Sequence, residues 1–183
     1  CAAVPQEINC YAYLATQWWK KMFPDAEINY VNAGIGATDS YLGVHRVAED
    51  VLSKNPDLVV VEFSVNDYRN HNKESYESLM RRILKYKTNP AVVSLCLTQF
   101  SEGGQCIDYG VYHKAVADYY HIPVVSYGDA VRPGLEDGTI QWSQLGPSDD
   151  LTHPSNAGHK IISRCLSCFY KQVLEDMKNH SYG

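Results

Sequence analysis

Leu58-Val59-Val60-Val61-Glu62-Phe63 is an almost unbroken apolar run, rich in β-branched residues and entered from the turn Asn55-Pro56-Asp57. A run of this kind reads as a strand covered on both faces, which occurs almost only in parallel sheets with helices packed on either side. That one segment therefore constrains the whole architecture. The rest of the chain supplies the alternation it requires. Ala91–Leu97 and Ile122–Ser126 are further buried runs, and residues 28–32 (Ile-Asn-Tyr-Val-Asn) read as a shorter strand. Between them the apolar period changes to three and four. Tyr11, Leu14, Ala15, Trp18 and Met22 mark a helix over 10–22, and Val44, Val47, Val51 and Leu52 mark one over 44–54. Tyr76, Leu79, Met80, Ile83 and Leu84 mark a third, and residues 108–120 a fourth. The last helix follows Ser155, an expected N-cap. It carries Ile161, Cys165, Phe169, Val173 and Met177 beside Ile162, Leu166, Tyr170 and Leu174 as a core-facing stripe.

Strands alternating with helices predict a layered α/β domain with a mainly parallel sheet. The 183 residues suit one domain at roughly 100–200 residues each. The pattern opens on a helix, whereas such folds usually open on a strand, so a strand ahead of Cys1 is expected. The composition, 45% hydrophobic and 20% charged, excludes disordered, collagen-like and coiled-coil chains. No apolar run approaches the ~20 residues that span a bilayer, so no membrane segment is expected. A net charge of -5 argues against a nucleic-acid partner.

Six cysteines stand at 1, 10, 96, 106, 165 and 168. Cys96 lies in an apolar run and reads as a small buried hydrophobe. Cys165 and Cys168 have C-x-x-C spacing, but they fall within a helical pattern with no second pair, so neither a metal site nor a redox pair is expected. Cys1 pairing with Cys10, or a bridge involving Cys106, stays open.

Ligands of open α/β sheets bind beyond the carboxyl ends of the strands. Four segments lie there: Gly34-Ile35-Gly36-Ala37, Ser64-Val65-Asn66-Asp67, Thr98-Gln99, and Asp149-Asp150-Leu151-Thr152-His153-Pro154. Asp150 and His153 are three apart. In a turn, that spacing lets the carboxylate accept from imidazole Nδ1–H, fixing the tautomer and leaving Nε2 as a base. A capping loop, with Asp149 or Asp150 satisfying backbone amides, is the competing reading. Asn66 could donate to a developing oxyanion or simply form an Asx-turn. The glycine loop fails as a dinucleotide fingerprint because Asp39 occupies the third glycine position, and a loop exposing backbone N–H groups accounts for it better. Glu62, Asp67, His45, His71, His113, His121 and His180 read as structural or solvated. His159, in the first turn of the last helix, is a minor candidate, and Trp142 could line a pocket.

Taken together, Asn32-Ala33-Gly34-Ile35-Gly36-Ala37-Thr38, Val61-Glu62-Phe63-Ser64-Val65-Asn66-Asp67 and Asp150-Leu151-Thr152-His153-Pro154 resemble blocks two, three and five of the SGNH hydrolases, or GDSL esterases. The Asn-Ala-Gly-Ile-Gly-Ala-Thr and Glu-Phe-Ser-Val-Asn-Asp forms resemble the bacterial carbohydrate-esterase-like branch. The resemblance implies a flavodoxin-like three-layer α/β/α sandwich. It implies His153 as general base, Asp150 as its orienting carboxylate, and Asn66 with the backbone N–H groups of Gly36 and Ala37 as oxyanion hole. Ser64 stands where many members have glycine. Block one, with its Gly-Asp-Ser nucleophile on the first strand, does not occur in these residues, and Asp39-Ser40 is no substitute. The resemblance thus places the serine on a strand upstream of Cys1 and makes residues 1–183 a single domain that is N-terminally incomplete. The implied activity is hydrolysis of small acyl esters, acetyl above all, on carbohydrate, with no cofactor and no metal. The alternative is an inactive relative serving as a carbohydrate-binding or structural module.

Overall fold

A computed structural model describes residues 9–70, 73–101, 105–147 and 150–179. Cys1, His71, Asp149 and His180 lie outside them. Three strands, β1 (Leu58–Val61), β2 (Ala91–Cys96) and β5 (Val124–Ser126), form a parallel sheet in the order β1-β2-β5. Val59 aligns with Val92 across the first pair, and Leu95 with Val125 across the second. β3 (Gln99–Phe100) and β4 (Cys106–Ile107) make a separate antiparallel hairpin.

Alternate side chains on each strand face opposite ways, and the core divides accordingly. Val59, Val61 and Val92 meet one cluster, with residues of α2 (Ser40–Asp50), α4 (Lys73–Leu84) and α5 (Val111–Tyr119). Val93, Leu95 and Val125 meet the other, with α1 (Tyr11–Met22), α6 (Tyr127–Glu136) and α8 (Asn156–Asn179). The result is the expected three-layer α/β/α sandwich. Met80, Leu95, Ile162 and Leu166 are at most 1% exposed. Burying such side chains contributes about 1.5–3 kcal/mol each.

Several expectations change. Residues 28–32 form no strand, because an extended segment becomes one only when its backbone pairs, and here it pairs with neither edge of the sheet. β2 is buried along most of its length, as expected, but Val60 on β1 remains 36% exposed. Val173 and Met177 are exposed at 39% and 58%, so the core stripe of α8 stops at Tyr170. The second helix begins at Ser40, not 44, because the Asp39 carboxylate caps it by accepting from Leu42 N–H at 3.2 Å. The segment after β1, left unassigned by the apolar pattern, is a helix, α3 (Ser64–Asn70). The hairpin, α6 and α7 (Trp142–Leu145) complete the fold. Cys10 is disulfide-bonded, while Cys96, Cys106, Cys165 and Cys168 carry free thiols, so Cys106 is not its partner. Cys96 is buried, and desolvation pushes its thiol up to about 12.

Candidate active site

Three of the four segments beyond the carboxyl ends of the strands meet at one cleft of about 1410 Å³, lined by Gly36, Ala37, Asn66 and His153 among others, while Thr98 and Gln99 turn away from it to bond Ile107 and Tyr109. Its long wall is β1, whose outer edge has no strand partner among the described residues.

Asp150 and His153 lie in the loop leading into α8. His153 Nδ1 and Asp150 Oδ2 are 2.6 Å apart, while Asp150 Oδ1 accepts the backbone N–H groups of Thr152 at 2.8 Å and His153 at 3.0 Å. The two competing readings are therefore both satisfied, because one carboxylate oxygen caps the turn and the other orients the ring. Partial burial pushes the Asp150 carboxyl up, but hydrogen bonds from the His153 and Thr152 backbone and from the imidazole together hold it below the ordinary carboxylate range. With Nδ1 donating to Asp150, Nε2 is left as the basic nitrogen. The His153 side chain is 57% exposed, so the value of this pair lies in orientation more than stability.

Ser155 anchors the same loop. Its Oγ donates to the Leu145 carbonyl at 3.0 Å and accepts from Gly158 N–H at 3.3 Å, confirming it as the cap of α8. His159 follows and is buried. Its Nδ1 faces the Tyr11 N–H at 3.4 Å, and its ring stacks on Tyr11. Desolvation lowers its pKa to about 4. His159 therefore ties α1 to α8.

Residues 32–38 form a tethered loop. Asn32 Oδ1 accepts from Gly34 N–H, Thr38 Oγ1 donates to the Ile35 carbonyl, and Arg46 donates to the Ala33 carbonyl at 2.6 Å. Ala37 has φ 59°, a left-handed conformation that a side chain disfavours. Here the family's glycine would fit without strain. Gly36 and Ala37 are exposed and line the cleft. Asn66, on the first turn of α3, donates from Nδ2 to the Thr38 carbonyl at 2.6 Å, which couples the two halves of the expected oxyanion hole. An Asx-turn is not formed.

Ser64 explains its own departure from glycine. It is 0% exposed, donates from Oγ to Glu62 at 2.7 Å, and accepts the Leu97 N–H at 2.9 Å, joining the ends of β1 and β2. Burial pushes the Glu62 carboxyl up against the downward pull of Ser64. Trp142 lies tilted against Phe100, 3.9 Å between ring centroids, and packs half-buried against the core instead of lining the cleft. Cys165 is half-buried and Cys168 exposed on α8. No group of three or more His, Cys, Asp or Glu side chains poised for a metal occurs among the described residues. Sequence reading missed the pairing of Asp67 with His113, at 2.8 Å and fully buried. The two stand 46 residues apart, and no local spacing signals such a pair.

The three-layer sandwich and the matches that follow place the chain among the SGNH hydrolase folds. The chain matches the GDSL-like lipase/acylhydrolase family over residues 7–161, and it belongs to that family. Among solved structures, it is 38% identical to a two-domain esterase (CEX) active on acetylated mannans, co-crystallised with mannopentaose. That match has a TM-score of 0.85 and covers 92% of this chain and 45% of the esterase, so the chain spans less than half the length of that relative. It is 19% identical to the acetyl xylan esterase AlAXEase, with a TM-score of 0.72, covering 88% of this chain and 90% of that one. It is 24% identical to an acetyl xylan esterase variant from Geobacillus stearothermophilus, with a TM-score of 0.67, covering 85% and 78%. At those identities the last two show the fold alone. No curated protein matches the chain significantly.

Proposed function

We propose that this domain is the catalytic part of a serine esterase that removes small acyl groups, acetyl above all, from carbohydrate. The observation that carries the reading is the Asp150–His153 pair at 2.6 Å, with the remaining Asp150 oxygen locked by two backbone N–H groups, on the same cleft as Asn66, Gly36 and Ala37. The mannan-active relative supports the carbohydrate substrate. The nucleophile in this reading is a serine on a strand N-terminal to Cys1. The open edge of β1 along the cleft supports such a strand, since an unpaired ladder edge beside exposed Val60 is where a parallel neighbour would add.

The chemistry then follows from the residues. His153 Nε2 takes the serine proton as Oγ attacks the ester carbonyl, and Asp150 steadies the imidazolium. The Asn66 amide and the backbone N–H groups of Gly36 and Ala37 hold the oxyanion. Collapse expels the sugar oxygen, protonated by His153, and leaves the acyl-serine. His153 next deprotonates water, which attacks that ester and releases the acid and free serine. No observation favours the inactive alternative.

The test is p-nitrophenyl acetate and acetylated mannan hydrolysis by a polypeptide that includes the segment upstream of Cys1. His153→Ala is expected to lower kcat by about 10³-fold or more with the melting temperature kept. Unchanged turnover in that variant, or none in the parent, overturns the reading.

A further inference from the structure

The expected oxyanion hole is held from behind by a buried pair that the mechanism above does not use. Asp67 and His113 are each 1% exposed. Asp67 Oδ1 accepts the Ser40 N–H at 2.7 Å, and Oδ2 accepts from His113 Nε2 at 2.8 Å. The imidazole lies flat against Tyr76, 3.5 Å between centroids and 5° between planes, and Tyr76 OH is in turn bonded to Ser94 Oγ at 2.7 Å. His113 Nδ1 is buried without a hydrogen-bond partner among the described residues.

Such a pair is a poor way to gain stability. Burying an ionisable pair costs about as much as it returns, and a buried nitrogen without a partner adds to the cost. What the pair can provide is position. Asn66 and Asp67 are neighbours on α3, and they grip two points of one loop: Asn66 holds the Thr38 carbonyl, and Asp67 holds the Ser40 N–H. Those points lie just past Gly36 and Ala37. The loop's exit is thus fixed to the same helical turn that carries the side-chain donor, and α5 fixes that turn through His113.

We propose that Asp67 and His113 are positioning residues for the oxyanion hole, with Asp67 setting Ser40 and the loop before it relative to Asn66, and His113 setting Asp67. The inference rests on the esterase reading for its catalytic consequence but not for its structural one. The test compares His113→Leu with His113→Gln, whose Nε2 can occupy the place of the imidazole Nε2. In the serine-bearing polypeptide, leucine is expected to lower kcat for p-nitrophenyl acetate about 10–100-fold with KM within about twofold. Glutamine is expected to recover kcat to within about threefold of the parent. In amide spectra of the same serine-bearing polypeptide, the Asn66 side-chain NH₂ and the Ala37 and Ser40 backbone signals should shift in the leucine variant and return with glutamine. Unmoved signals overturn the proposal, as does an equal kcat loss in both variants that tracks their melting temperatures. A parent with no esterase activity sinks the esterase reading alone, because the spectra still decide the clamp. Should leucine prevent folding, Asp67→Asn, which sets an NH₂ against His113, gives the same readouts.

Discussion

Gly158→Ala is the substitution that should most directly connect packing to the base. Gly158 is the third residue of α8, and its φ is not positive, so conformational freedom is not what requires glycine here. Close approach is. A Cβ would lie 2.3 Å from the Leu145 carbonyl oxygen and 2.8 Å from Pro154 Cβ, whereas ordinary contact begins near 3.4 Å. Something must therefore move by about 1 Å. The Leu145 carbonyl cannot move freely, because it accepts both the N–H and the Oγ–H of Ser155, at 2.8 and 3.0 Å. Stretching those bonds costs about 0.5–1.5 kcal/mol each, forcing the segments apart about 1–3 kcal/mol, and the better helix propensity of alanine returns at most about 1 kcal/mol. At mid-range values the net destabilisation is about 3 kcal/mol. That lowers Tm by roughly 6–12 °C at about 2–4 °C per kcal/mol for a chain of this size. Calorimetry measures it. Because Pro154 directly follows His153, the same shift should disturb the His153–Asp150 bond, read from the imidazole proton resonances. A stability change under about 0.5 kcal/mol with unmoved His153 signals would refute the packing argument.

The converse substitution at Ala37 should stabilise. Relief of its left-handed strain, about 1–2 kcal/mol, exceeds the greater unfolded-state freedom of glycine, about 0.4–1 kcal/mol. Ala37→Gly should therefore raise Tm by a few degrees, and a fall would show that the φ of 59° carries no strain. His159 is buried with a pKa lowered to about 4, so the unfolded chain binds the proton more readily. Its contribution to stability is complete above the unfolded value, about 6.5, and is lost as the pH falls toward 4. Denaturation midpoints measured between pH 7 and 4.5 should decline, and His159→Gln should flatten that decline. An equal slope in both proteins would locate the acid sensitivity elsewhere.

Those parts of the fold whose information is local were legible in the sequence. Uninterrupted apolar runs marked β1 and β2, and spacings of three and four marked α1, α4 and most of α8. Asp150 and His153 were legible for the same reason, since three residues in a turn suffice to bring them into contact. What escaped depends on partners distant in sequence. Residues 28–32 have the composition of a strand, but a strand exists only with a neighbour. Val173 and Met177 continue the helical stripe but stay exposed at the cleft, with too little among the described residues packed on them to bury them. The 99–107 hairpin and α6, with Pro133 in its interior, carry no clean period. Asp67 and His113 meet across 46 residues, and only the packing of α3 against α5 brings them together.

The uncovered side of β1 also bears on how this polypeptide behaves at high concentration. Among the described residues, no strand pairs with the outer side of Leu58 to Val61, four consecutive apolar residues, which leaves their ladder of backbone donors and acceptors open. Such an edge is a template for another molecule and a route to edge-to-edge aggregation. Natural sheets blunt such edges with a charge, and Val60, whose side chain already reaches solvent, is where a lysine would do so at least expense to the core. On the reading proposed above the upstream strand fills this edge, so a polypeptide limited to residues 1–183 should aggregate more readily than one that carries that strand.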